Sequence, residues 1–181
     1  MRQFHMDLLI RRVLVGLFIA FSSHAGAAGI EQWDFNGTLA SSTGGSNLLL
    51  GAAAPASSPD LTFTSVTIGG QTAQAASFSR GTYFRLTHRL GANAGGAYLS
   101  AYTLIMDVMF PSRPSGWAVL WQTDPNNSPG NDGDWFINPN RGLGISGNYG
   151  GVVLDATWNR IALVIDPVNG TFTSYLNGSQ V

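Results

Sequence analysis

The sequence predicts an all-β fold, two antiparallel sheets packed as a sandwich of the jelly-roll kind. Three observations predict it. Roughly ten to twelve short apolar or alternating runs follow residue 28, turn signals rich in Gly, Asn and Pro separate them at regular spacing, and helical periodicity is missing from that region. An up-and-down barrel is the alternative. No internal repeat of about 20–50 residues argues for a propeller or solenoid. With 181 residues, one domain can bury a single core.

Composition fits a β-rich exported protein. Charged residues make up 10%, against ~25% in ordinary soluble domains, and 23 glycines add to the turn formers. All nine basic side chains are arginine. After residue 28, six arginines face nine carboxylates, a net charge of −3 with no basic stripe, so nucleic acid is not an expected partner. Cysteine is absent, which excludes disulfides, thiolate nucleophiles and Cys-based zinc sites.

Residues 1–28 read as a secretory signal peptide, expected to be helical and removed on export. Arg2, Arg11 and Arg12 form a positive n-region, residues 13–21 an apolar core, and Ala25-Gly26-Ala27 a small-x-small cleavage signal. Nine apolar residues fall short of the ~20 that cross a bilayer, so no stable membrane anchor is expected after cleavage. Arg11-Arg12 lacks the context of a twin-arginine signal. The expected compartment is secreted, periplasmic or extracellular, and the mature domain runs over residues 29–181.

Within the mature chain, residues 31–35 alternate before Asn36-Gly37 turns the chain, which predicts a first strand. Residues 40–59 are rich in Ser, Gly and Ala and read as surface loop, anchored only by Leu48 to Leu50. Runs 61–68, 75–78 and 83–90 are strand-like, with Gly69-Gly70 and Gly81 between them. Tyr102, Leu104, Met106, Val108 and Phe110 alternate and should share a buried face. Residues 117–123 put Trp117, Val119 and Trp121 on a common side, expected in the core with Trp158. Residues 124–133 hold two Pro, two Gly and three Asn and read as a polar loop. Short strands at 134–137, 142–145 and 152–154 follow.

The chain then reaches its clearest hairpin. Residues 157–165 place Ile161, Leu163 and Ile165 on one face, Asp166-Pro-Val-Asn169-Gly170 turns, and residues 171–176 alternate again. Asn177-Gly178 asks for one more reversal with only Ser179, Gln180 and Val181 after it. Strands usually need about five residues, so the 171–176 edge is expected to stay open and to invite self-association.

Trp33-Asp34-Phe35-Asn36-Gly37, the run Tyr102-Thr-Leu-Ile-Met-Asp107-Val, the run Thr157-Trp158-Asn-Arg160 through Asp166, and Ser174-Tyr175-Leu-Asn177-Gly178 together resemble the laminin G-like, concanavalin A-like jelly rolls. The resemblance covers most of the mature chain. It implies a two-sheet sandwich used for binding or adhesion, often to carbohydrate, and often one module of a larger exported protein. Such domains continue after the Tyr-x-Asn-Gly turn with further strands, so the C-terminal strands are expected to be missing here, and no family binding residue carries over.

The same superfamily contains glucanases, but a glycosidase needs two flanking carboxylates. The mature chain has one glutamate, Glu31, and lacks the Glu-x-Asp-x-x-Glu pattern of those enzymes. Asp132 and Asp134 stand in a Gly-Asn-rich loop where side-chain to backbone hydrogen bonding explains them. No phosphate-binding loop, His-Glu-x-x-His or Gly-x-Ser-x-Gly occurs, and His88 has no identifiable orienting partner, so no catalytic residue is assigned.

For a ligand, Trp135 and Tyr149 beside Gly-rich loops are candidates for stacking on a sugar ring. Arg85 and Arg89, expected on one strand face with Thr87, are candidates for holding an anionic sugar. No cofactor is required. Calcium is the one metal the composition allows, through Asp124, Asn126, Asn131, Asp132 and Asp134, although their spacing is not an EF-hand. Two readings follow: a non-catalytic, lectin-like carbohydrate-binding module, or a structural or adhesion module that binds protein or no small ligand. A glycoside hydrolase is the weaker third.

Overall fold

The computed structural model describes residues 4–7, 13–20, 29–53, 56–112, 116–124 and 134–181, and every regular element among them is a β-strand. In chain order these are β1 (Phe4–Asp7), β2 (Val13–Ala20), β3 (Ile30–Trp33), β4 (Leu49–Ala52), β5 (Leu61–Ile68), β6 (Gln71–Phe78), β7 (Thr82–Leu86) and β8 (Tyr102–Met109). There follow β9 (Ala118–Trp121), β10 (Trp135–Ile137), β11 (Leu143–Ile145), β12 (Asn148–Gly150), β13 (Asn159–Asp166), β14 (Thr171–Leu176) and β15 (Ser179–Gln180). Their ladders are antiparallel.

One layer is an eight-stranded sheet in the order β15-β14-β13-β8-β2-β6-β5, with β3 also paired to β2. Against it pack a four-stranded sheet, β12-β11-β10-β9, and a three-stranded sheet, β1-β7-β4. Contacts between the layers are aromatic: Phe78 of β6 meets Phe84 of β7 edge-on at 4.9 Å, and Tyr102 of β8 meets Trp121 of β9 at 6.1 Å. The arrangement is all-β, antiparallel and consistent with a sandwich.

The alternation in residues 102–110 explains the core. Tyr102, Leu104, Met106, Val108 and Phe110 are all buried, and the register sets Met106 opposite Ile161 and Leu104 opposite Leu163, both buried too. Full burial of each such side chain is worth about 1.5–3 kcal/mol, which fixes the register because a one-residue slip would expose the whole row. On the other face Asp107 stands opposite Arg160, which donates Nε to Oδ1 at 2.8 Å and Nη2 to Oδ2 at 2.6 Å. The guanidinium is largely exposed, so water screens this pair.

Turn chemistry sets the hairpins where the sequence points to them. Asn177 and Gly178 both take positive φ, 51° and 85°, the conformation of a two-residue turn whose twist matches the strands. In the β13–β14 turn the Asp166 carboxylate accepts from the backbone N–H of Val168 and Asn169, at 3.1 and 3.2 Å.

Several expectations are corrected. Residues 4–7 and 13–20, expected in a helical leader, are strands, and no helix among the described residues is long and apolar enough to cross a membrane. The physical reason is that β8, β6 and β3 each present a strand edge to residues 13–20, and backbone groups next to a core must be paired. The residues around the cleavage signal lie outside the described ones. At the other end Ser179 and Gln180 do form a return strand, paired to Leu176 and Tyr175, and Val181 N–H donates to the Ser174 carbonyl at 2.9 Å. Leu49–Ala52 is strand rather than loop. Strand β7 stops at Leu86, and the run 152–154 is irregular while Asn148–Gly150 forms β12.

Burial of Tyr102 makes a pH prediction. Its hydroxyl accepts from Trp121 Nε1 at 3.0 Å, and desolvation pushes the phenol up to about 12 from 10.0, with the Trp121 hydrogen bond acting the other way. The folded state therefore holds this proton more tightly than the unfolded chain. The stability it contributes is complete below about pH 10 and is lost as pH rises through about 12, a loss of about 2–3 kcal/mol. Thermal melts across that window should fall for the wild type and fall less for Tyr102→Phe. Parallel curves would show that the buried phenol is not responsible.

Candidate ligand-binding site

The outer face of the four-stranded sheet carries the most distinctive surface. Strands β9 and β10 pair Ile137 with Ala118, Phe136 with Val119 and Trp135 with Trp121, which leaves Leu120 unpaired at a β-bulge. Because the bulge resets the alternation, Leu120 and Trp121 are both buried, and Trp117 at the strand's start is 51% exposed. Gly144 stands opposite Phe136 on one side and Tyr149 on the other, so these three positions share one row. A Cβ on Gly144 would collide with the backbone carbonyl of Asn148, so glycine is what lets β12 fold back this closely beside the row.

Trp117 meets Tyr149 at 5.4 Å and 64°, and Phe136 at 5.8 Å and 78°, both edge-to-face. The result is an aromatic patch outside the core. Burial raises the Tyr149 pKa, backbone hydrogen bonds from Gly147 and Ser146 oppose that, and the Asp134 carboxylate adds to it. Asp134 immediately precedes β10, two residues before Phe136.

The candidates singled out from sequence fall in different places. Trp135 is 0% exposed and donates Nε1 to Ser174 Oγ at 3.0 Å, so it ties the two layers together and has no ring face free for a sugar. Its neighbour Phe136 takes the outward position. Tyr149 lies on the patch. Trp117, expected in the core, is the exposed indole instead, and Trp158 is half-buried. Phe136 was not singled out, because a lone aromatic in a three-residue strand gives no sign of which face it takes.

Of the calcium candidates, Asp124 and Asp134 are half-buried at the two ends of their loop. Asn126, Asn131 and Asp132 lie outside the described residues. Among the described residues no three His, Asp or Glu side chains converge as a metal site.

Arg89 lines a separate open cleft of about 1140 Å³, together with Asn47, Thr87, His88, Tyr98 and Ser100. Tyr98 is 55% exposed there. Burial lowers the His88 pKa, and Glu31 pulls it back up. Glu31 itself is 2% exposed, and its Oε1 accepts from the Arg89 backbone N–H at 3.1 Å. A Cβ on Gly45 would stand 2.7 Å from Glu31 Cγ, so glycine is what allows the 45–49 segment to close over this carboxylate. Arg85 is half-buried on β7 and does not line the cleft. Since β7 ends at Leu86, Arg85 and Arg89 do not share a strand face.

Comparison of the chain with protein-family models, with curated proteins and with solved structures finds no match.

Proposed function

We propose that this chain is an exported, non-catalytic carbohydrate-binding module of the laminin G-like, jelly-roll kind, and that it stacks a sugar ring on Trp117. The observation that carries the reading is the half-exposed indole held edge-on by Tyr149 and Phe136. Such a cluster fixes the ring in advance, so little side-chain freedom is lost on binding, and its apolar face suits the C–H face of a pyranose. Asn148 and Ser146 in the adjoining turn add polar groups at its border. The non-catalytic part is supported by Glu31, the one glutamate after residue 28, which is shut away behind Gly45 and the Arg89 backbone.

A glycan array probed with the exported protein, in calcium and in chelator, tests the reading. Against a glycan selected on it, Trp117→Ala should weaken binding at least tenfold, or about 1.4 kcal/mol, with little change in melting temperature because the indole lies outside the core. Tyr98→Ala should leave affinity within twofold. Loss on Tyr98→Ala with Trp117→Ala unaffected would move the site to the cleft, and an array with no bound glycan would favour the adhesion reading.

A further inference from the structure

The open cleft around Arg89 lies where the three sheets meet. Leu49 at the start of β4, Tyr102 at the start of β8, Thr123 just past β9 and Ile165 near the end of β13 all line it. Among the described residues its lining carries one guanidinium, Arg89, and no carboxylate, although carboxylates outnumber arginines nine to six after residue 28. Arg141 is ion-paired with Asp155 and Arg160 with Asp107, whereas the exposed Arg89 head group is in no ion pair with a described residue. His88, held by burial below its ordinary pKa, is neutral at pH 7. The lining is therefore net positive, which selects for an anion.

Two groups on the cleft are fixed in advance through the backbone. Glu31 lies beneath the lining rather than on it, and its Oε1 holds the Arg89 N–H, which anchors that residue while its side chain stays free. The largely exposed Tyr98 sits on a connection that Asn93 closes on itself. Asn93 Oδ1 accepts from the backbone N–H of Ser100 and Ala101 at 2.8 and 2.9 Å, and its Nδ2 donates to the Ala101 carbonyl at 2.6 Å. Its own N–H donates to the Tyr98 carbonyl at 3.1 Å. A loop tied in this way presents its aromatic ring with little order left to acquire on binding. Asn47, Thr87 and Ser100 add amide and hydroxyl groups that both donate and accept.

We propose that this cleft is a second carbohydrate site, selective for uronic acid residues, with the carboxylate on Arg89 and a pyranose ring on Tyr98. A carboxylate matches the planar guanidinium through two parallel hydrogen bonds, and the C–H face of the sugar suits an aromatic ring. The remaining sugar hydroxyls match Asn47, Thr87 and Ser100. It is the combination that selects: an apolar acid would leave the amide and hydroxyl groups unpaired, and a neutral sugar would leave the guanidinium unused. At about 1140 Å³ the cleft has room for more than one ring, so the ligand it fits is an acidic oligosaccharide. The site goes beyond the Trp117 reading. It shares no residue with the aromatic patch, and either site can fail alone.

Calorimetric titration of the full chain with oligomers of glucuronic, galacturonic and mannuronic acid, and with their methyl esters, tests the proposal. At least one acid should bind, and at least tenfold more tightly than its ester. Arg89→Gln keeps the backbone N–H that Glu31 holds, so it should melt as the wild type does while bringing that acid within twofold of its ester. Tyr98→Ala should weaken acid and ester alike and leave their ratio unchanged. Adding a neutral glycan chosen for Trp117 should leave the affinity for the acid within twofold. Absence of binding by every acid, equal binding of acid and ester, or an unaltered acid affinity in Arg89→Gln would overturn the proposal. So would competition from the Trp117 glycan, which would move the acid to the patch. Tighter binding of a sulfated neutral oligosaccharide would overturn it too, since the cleft would then read charge rather than a carboxylate.

Discussion

Replacing Met106 by Asp is expected to abolish cooperative folding. Met106 is 1% exposed, with Ile161 opposite it on β13 and Leu104 and Val108 flanking it along the same face. Among the described residues the core around it is apolar, so a carboxylate placed there would be an unpaired buried charge, which costs several kcal/mol. Domains of this size are stable by about 5–15 kcal/mol, so one such change consumes much or all of it. Met106→Leu conserves volume and should cost under about 1.5 kcal/mol. Near-UV circular dichroism and urea unfolding of both variants check this. A Met106→Asp protein with a wild-type unfolding midpoint would mean that the β8 face is assigned the wrong way round.

Removing the Trp135 side chain is the second large effect. The indole is fully buried between the layers, so Trp135→Ala should cost about 3–5 kcal/mol for lost burial and the cavity left behind. The Ser174 hydroxyl, itself buried, would also lose its donor, adding about 1 kcal/mol. Trp135→Phe keeps much of the volume and loses the hydrogen bond, and should fall between alanine and wild type. Urea midpoints should rank in that order. An unfolding free energy for Trp135→Ala within about 1 kcal/mol of wild type would return this indole to the sugar-stacking candidates.

How much of this was legible in the sequence depended on whether one local signal decided the outcome. Residues 61–68 and 171–176 match β5 and β14 residue for residue, because a Gly-Gly or Asn-Gly pair fixes the hairpin end and alternation fixes the phase. The face of 102–110 was legible for the same reason. The face of 117–123 was not. Strict alternation puts Trp117 and Trp121 together, but the bulge at Leu120 separates them, and no Gly or Pro marks that bulge. Val152 to Leu154 looked like a strand by composition. The Ser146-Gly147 turn instead reverses the chain into Asn148–Gly150, leaving Val152 and Leu154 exposed and only Val153 buried. The patch joins Trp117, Phe136 and Tyr149 across three connections, so no local pattern announces it. The pairing of residues 13–20 into the sheet was equally hidden, since an apolar run of that kind suits a leader and a central strand alike.

The claim that a sugar lies on Trp117 is tested most directly by acrylamide quenching of tryptophan fluorescence, with and without a glycan selected on the array. Trp33, Trp121 and Trp135 are buried, so the quenchable emission is dominated by Trp117, with a smaller share from half-buried Trp158. Bound glycan should cut the quenching constant at least twofold and shift emission to the blue, and Trp117→Phe should abolish both changes. Quenching that is unaltered by a saturating glycan, or protection that persists in Trp117→Phe, would contradict it.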